Sequence, residues 1–104
     1  MILHTLNKAP SHTELNQQLT NTCSNQDSVL LIEDGIYQLL DPTIFTTKGH
    51  WAFTAKNIFA LASDATARGI NHANLDIDTC NIRFISYQEF VELAASHTKT
   101  ISWY

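Results

Sequence analysis

The sequence has 104 residues, a net charge of −4, 44% apolar residues and 15% charged ones. That length fits one domain, residues 1–104, with one modest core, and leaves no room for a second. Its six Lys and Arg are scattered and do not form the cationic cluster that displaces counterions from phosphates, so direct nucleic-acid binding is not expected.

The chain opens with the apolar run Ile2-Leu3-His4-Thr5-Leu6, and no basic segment precedes a long apolar stretch. Neither a signal peptide nor a membrane span is expected, so the chain is expected in the cytoplasm, with Cys23 and Cys80 as reduced thiols. Ser11 with Glu14 three residues later reads as a capping box. It would start a helix whose Leu15, Leu19, Thr22 and Cys23 share one stripe. Residues 28–32 form a second apolar run. Glu33-Asp34-Gly35 should open a second helix carrying Ile36, Tyr37, Leu39 and Leu40, and Asp41-Pro42 should end it, since a residue before proline avoids the helical region. Residues 43–57 hold Ile44, Phe45, Trp51 and Phe53 without clean periodicity. A third run, 58–62, leads into a short helix from Ser63-Asp64 that stops at Gly69, a C′ residue. Residues 71–81 read as a polar connection. A fourth run, Ile82 to Ile85, precedes Ser86-Tyr87-Gln88-Glu89, another capping box, whose helix places Tyr87, Phe90, Val91 and Ala94 on one face. The β-branched and aromatic tail ending in Trp103 and Tyr104 reads as a fifth strand.

Near-continuous apolar runs alternating with helical segments predict strands covered on both faces, hence a three-layer α/β domain around a parallel sheet. Function in such sheets gathers at the carboxyl ends of the strands. Here those ends offer Asn7, Lys8, Glu33-Asp34-Gly35, Ser63-Asp64 and Ser86-Tyr87. A phospho-receiver needs an acidic pair after its first strand, and Leu6-Asn7-Lys8 does not supply it. Asp34 and Asp64 are expected chiefly as helix N-caps, with a contact or active-site role as the alternative. The five histidines lack ligand-type spacing and no Cys-x-x-Cys pair occurs, so no metal is expected. No P-loop, Gly-x-Ser-x-Gly elbow or dinucleotide fingerprint is present, and no cofactor is expected. Cys23 falls near a helix C-terminus, where the dipole disfavours a thiolate, and Cys80 lies beside Asp76 and Asp78. Neither reads as an activated nucleophile.

Leu3-His4-Thr5-Leu6-Asn7-Lys8-Ala9-Pro10, Val29-Leu30-Leu31-Ile32-Glu33-Asp34-Gly35-Ile36-Tyr37, Phe59-Ala60-Leu61-Ala62-Ser63-Asp64 with Ala67-Arg68-Gly69-Ile70, Ile85 through Leu93, and Ser102-Trp103 follow one another in order along the chain. Together they resemble the TusB/DsrH family. The resemblance covers the chain from end to end apart from residues 43–57. It implies a DsrE-like α/β/α domain with a mostly parallel five-stranded sheet, and a place in a hetero-oligomer with TusC/DsrF-type and TusD/DsrE-type subunits. Such assemblies relay persulfide sulfur toward 2-thiolation of the tRNA wobble uridine or serve sulfur oxidation, with the principal sulfur-carrying cysteine on the TusD/DsrE-type partner. Some DsrH-type members carry an extra cysteine in the first helix. The flanking motifs place Leu19 at that position, with Cys23 one turn later.

The expected role is therefore that of a non-catalytic subunit. Lys8, Asp34, Gly35, Ile36, Tyr37, Leu40, Trp51, Phe53, Trp103 and Tyr104 are the candidate partner contacts. The rival readings are a direct persulfide acceptor through Cys23, and a stand-alone homo-oligomeric binding module. Chain ends fray unless tied into structure, and this one finishes on two aromatics. Deletion of residues 101–104 is expected to prevent folding or assembly, whereas an N-terminal tag is tolerated. Thermal melting and complex formation by the truncated chain check this.

Overall fold

A computed structural model describes residues 1–70 and 82–103. Five strands, β1 (Ile2–Leu6), β2 (Ser28–Leu31), β3 (Asn57–Leu61), β4 (Ile82–Ile85) and β5 (Lys99–Trp103), form one sheet in the order β4-β3-β2-β1-β5. Every pairing is parallel. The four apolar runs and the aromatic tail thus all become strands, with boundaries within a residue or two of those expected.

Alternation along the strands divides the core in two. Leu6, Val29, Leu31, Ile58 and Ala60 face one side. There α1 (Thr13–Thr22), two 3₁₀ helices (Glu33–Leu40 and Pro42–Phe45), α2 (Trp51–Thr54) and α3 (Ala62–Ala67) contribute Leu19, Ile36, Leu39, Ile44, Trp51 and Ala65. Leu3, Leu30, Phe59 and Ile85 face the other side, where α4 (Tyr87–Ser96), alone among the described helices, packs through Phe90, Leu93 and Ala94. Three layers result, one of them represented among the described residues by a single ten-residue helix.

Local chemistry explains where elements start and stop. Ser86 and Glu89 form the expected capping box: the Ser86 hydroxyl accepts from the Glu89 N–H, and the Glu89 carboxylate accepts from the Ser86 N–H. At the end of α3, Gly69 adopts φ +69°. Its N–H reaches Thr66 O at 3.1 Å and that of Ile70 reaches Ala65 O at 2.9 Å, the paired bonds of a Schellman stop.

Other expectations need correction. Ser11 does not cap α1, because the His12 N–H closes a turn on Ala9 O and moves the N-cap to His12. Thr22 is exposed, so the buried stripe of α1 reduces to Leu15, Leu19 and the C-cap residue Cys23. On α4 the inward face is Phe90, Leu93 and Ala94, while Tyr87 and Val91 point outward at 66% and 61% exposure. Neither aspartate caps its own helix. Asp34 lies inside the 3₁₀ helix, whose N-cap is Ile32, and α3 starts after Leu61. Asp64 instead accepts a 2.8 Å bond from the Glu33 N–H, stabilising Glu33 at φ +49°.

The segment after β2 is 3₁₀ and not α-helical because it is pressed onto the end of β1. A Cβ on Gly35 would lie 2.0 Å from Leu6 O, so no larger residue fits, and the Ile32 N–H donates to that same carbonyl at 3.0 Å. Asp41 ends this helix as expected and caps the next by accepting from Thr43. Gly35→Ala should destabilise the fold by about 3 kcal/mol or more, since the clash is with backbone that has no room to yield. A drop of several degrees in Tm checks it, and an unchanged Tm would show that the contact is soft.

Candidate functional site

Leu3-His4-Thr5-Leu6 reads as an apolar strand with a polar interior. His4 is fully buried, and at 0% exposure an imidazole must have partners for both nitrogens. Asp27, the residue before β2, is 3% exposed and places Oδ2 at 2.9 Å from His4 Nε2. Trp103, the last residue of β5, donates its indole Nε1–H to His4 Nδ1 at 3.0 Å. Indole nitrogen can only donate, so Nδ1 must carry the lone pair, and the remaining proton sits on Nε2 and is donated to Asp27. The donor set therefore assigns one tautomer, the neutral Nε2–H form.

Asp27 is satisfied on both oxygens. Oδ1 accepts from the Ile2 N–H at 3.1 Å, and Oδ2 accepts from the Ser24 N–H at 3.1 Å as well as from His4. Burial alone would raise its pKa. The hydrogen bonds from His4, Ser24 and Ile2 outweigh burial and hold the carboxyl below its ordinary 3.8. Its contribution to stability is accordingly complete above pH 3.8 and is lost as acid titrates it below that value.

Cys23 stands beside this network. Its Sγ, one His4 ring nitrogen and one Asp27 oxygen lie within 4.8 Å of one another, the one such donor group among the described residues. The arrangement suits neither a metal nor a nucleophile. A metal on Nε2 would displace its proton to Nδ1, directly against the Trp103 N–H donor. Likewise His4 has no unengaged lone pair with which to take the thiol proton. Burial, followed by the Asp27 charge, pushes the Cys23 thiol up to about 11, and its Sγ–H is directed to Ser24 O at 3.6 Å. Sequence reasoning reached the inert thiol through the helix dipole. The structure adds the stronger cause, burial, reinforced by an adjacent buried carboxylate. Asp27 and His4 were missed, although a histidine at an inward position of a buried strand was the available signal.

The other sequence candidates scatter. Gly35, Ile36 and Trp51 are buried in this chain's own core and offer nothing to a partner. Trp51 instead donates to Asn16 Oδ1 at 3.3 Å, the acceptor shared with Gln38 Nε2 at 2.8 Å. Lys8 is half-buried and its carbonyl accepts from Gln38. Asp34 pairs with Arg68 at 3.0 Å on the surface, with the guanidinium 5.9 Å from the Tyr37 ring centroid. Leu40 and Phe53 remain about half exposed. Trp103 is half-buried over the core. Tyr104 and Cys80 lie outside the described residues. The Asn7 Oδ1 atom is buried at the carboxyl end of β1 without a hydrogen-bond partner among the described residues.

A thiol at about 11 against an ordinary 9.0 holds roughly a hundredfold less thiolate at neutral pH. In a Cys80→Ala variant, Cys23 should therefore react with a maleimide or disulfide reagent at least about a hundredfold more slowly in the native state than in denaturant. Stopped-flow labelling checks this, and native labelling at the denatured rate would contradict the buried assignment.

The geometry can now be set against known proteins. A family model described as "DsrH like protein" matches residues 8–100. The chain is 32% identical over 102 residues to Protein TusB of Buchnera aphidicola subsp. Schizaphis graminum, covering 98% of this chain and 100% of the relative. It is 28% identical to Protein TusB of Yersinia pestis over the same shares. Among solved structures, a Thermotoga maritima protein determined by NMR superimposes with a TM-score of 0.63 at 20% identity, covering 93% of this chain and 94% of that one. The ychN protein of E. coli superimposes with a TM-score of 0.63 at 15% identity, covering 98% and 97%. The structural likenesses establish the fold, and the sequence matches run nearly end to end. The chain belongs to the DsrH-like family, with TusB proteins among its relatives.

Proposed function

We propose that this chain is a non-catalytic structural subunit of a sulfur-relay complex, which it forms with TusC/DsrF-type and TusD/DsrE-type subunits in the cytoplasm. The observation that carries this reading is the state of Cys23. Its thiol is buried, raised to about 11, and flanked by a histidine whose two nitrogens are already engaged. A persulfide carrier needs a nucleophilic thiolate that an incoming donor can reach. This thiol meets neither condition, so the transferable sulfur is assigned to a partner's cysteine.

Supporting features are bland but consistent. Leu40, Phe53, Tyr87 and Val91 leave apolar side chains at the surface of a chain with only 15% charged residues. Neither a cofactor nor direct contact with nucleic acid is part of the proposal, and no described helix is long and apolar enough to cross a membrane. Between the two pathways the resemblance implies, relatives named TusB favour delivery of sulfur toward 2-thiolation of the tRNA wobble uridine.

The test is genetic and biochemical together. Cys23→Ala and Cys80→Ala, singly and combined, should support wild-type levels of 2-thiouridine in cellular tRNA while the chain co-purifies with both partner types. Loss of the modification in Cys23→Ala with the complex intact would move the assignment to direct persulfide acceptance. A chain that ignores both partners and forms a homo-oligomer would point instead to a stand-alone module.

A further inference from the structure

The buried His4 joins three separate parts of the chain through one proton arrangement. Asp27 enters from the turn before β2, Trp103 from the carboxyl end of β5, and His4 itself lies in β1 between Val29 of β2 and Ile101 of β5. Both bonds exist together only while the imidazole is neutral with its proton on Nε2. A second proton would have to be placed on Nδ1, where the Trp103 indole N–H points at 3.0 Å. Two donors then face each other and one must leave. Asp27 would keep its hold on His4, now as an ion pair, so the partner released is Trp103.

We propose that His4 is a proton-sensitive latch on the carboxyl end of β5: closed on Trp103 when neutral, open when protonated. The groups that face the imidazole are consistent with this direction. Among the described residues Asp27 is the one carboxylate at contact distance, and its oxygen can accept from Nε2–H whether the ring is neutral or protonated. Cys23, at the end of α1, is held as a neutral thiol and opposes neither form. His97, between α4 and β5, is turned to Leu93 O and to the Ser28 hydroxyl, and so engages the strand next to Asp27 and not His4. The β1 register partners Val29 and Ile101 bring no charge. The latch is specific to one of the two tryptophans. Trp51 donates to the amide oxygen of Asn16, which does not titrate, and so provides an internal reference.

The consequence is local. Leu6 pairs with Trp103 at the end of β5, which is an edge strand of the sheet. Opening the latch frees the indole from the buried cluster at this edge while the remaining β1–β5 ladder stays in place.

The full-length ¹⁵N-labelled chain tests this by NMR. Long-range ¹H–¹⁵N correlation should show His4 as the Nε2–H tautomer at neutral pH. On acidification the Trp103 indole N–H should shift and lose its protection from exchange in step with His4 titration, while the Trp51 indole stays unmoved. Trp103→Phe keeps an aromatic ring but removes the donor, so its His4 should take up its second proton at higher pH than in the wild type. An Nδ1–H tautomer at neutral pH overturns the proposal. So does a Trp103 indole that stays protected while His4 titrates, an unmoved His4 midpoint in Trp103→Phe, or a His4 that stays neutral until the chain unfolds.

Discussion

The carboxylate of Asp27 is the interaction around which the rest of this small fold is arranged. An ionised group at 3% exposure is costly to bury, and it is tolerable here because three hydrogen bonds converge on it, one of them from His4, whose ring is itself held by Trp103. The donors come from β1, from the turn after α1 and, through His4, from β5. Removing one partner of such a buried pair costs on the order of 3–5 kcal/mol, because the other is left uncompensated. That is a large share of the stability of a domain this size, which is about 5–15 kcal/mol. One side chain thus fixes the N-terminal strand, the start of β2 and the C-terminal strand relative to one another.

Two layers of unequal thickness follow from the strand order. The chain crosses β1 to β2 to β3 to β4 in one direction, and the described helices between those strands all cover one face. Its return from β4 to β5 supplies α4, the one described helix on the other face. Ten residues of helix partly bury Phe90, Leu93 and Ala94 and still leave Tyr87 and Val91 outside. On the thick side, the segment after β2 is so close to β1 that Gly35 touches Leu6 O and the backbone winds as 3₁₀ helix. Most of the apolar residues after β2 are therefore not a surface. Ile36, Leu39, Ile44 and Trp51 fill the volume beneath two short 3₁₀ turns, and only Leu40 and Phe53 are left over.

What the sequence made legible has a common cause, as does what it hid. Strands and caps were readable because their signals are local: apolar runs for β1 to β4, Ser86 with Glu89 for α4, Gly69 for the end of α3. The 3₁₀ winding was not, because it is imposed by a contact between Gly35 and Leu6 that no local pattern encodes. Assigning Asp64 to its own helix failed for the same reason, since its partner is the N–H of Glu33, thirty-one residues away. The buried cluster was the least legible of all. His4, Asp27 and Trp103 are separated by 23 and 99 residues along the bonds that join them, and each taken alone reads as an ordinary strand-edge polar or aromatic residue.

The same cluster bears on why Cys23, in a family associated with sulfur transfer, is an inert thiol. The resemblance places Leu19 where some DsrH-type members carry a cysteine, and in this chain Leu19 is fully buried against the sheet. A cysteine substituted there would inherit that burial, and with it a raised pKa and no path for a donor. Cys23, one turn further, is covered by the same packing and adds the repulsion of Asp27. The inward face of α1 is thus committed to holding the sheet, and the burial that comes with this packing, reinforced by the Asp27 carboxylate, keeps the neighbouring thiol protonated. At Cys23, packing and thiolate chemistry compete for the same few ångströms, and the geometry favours packing.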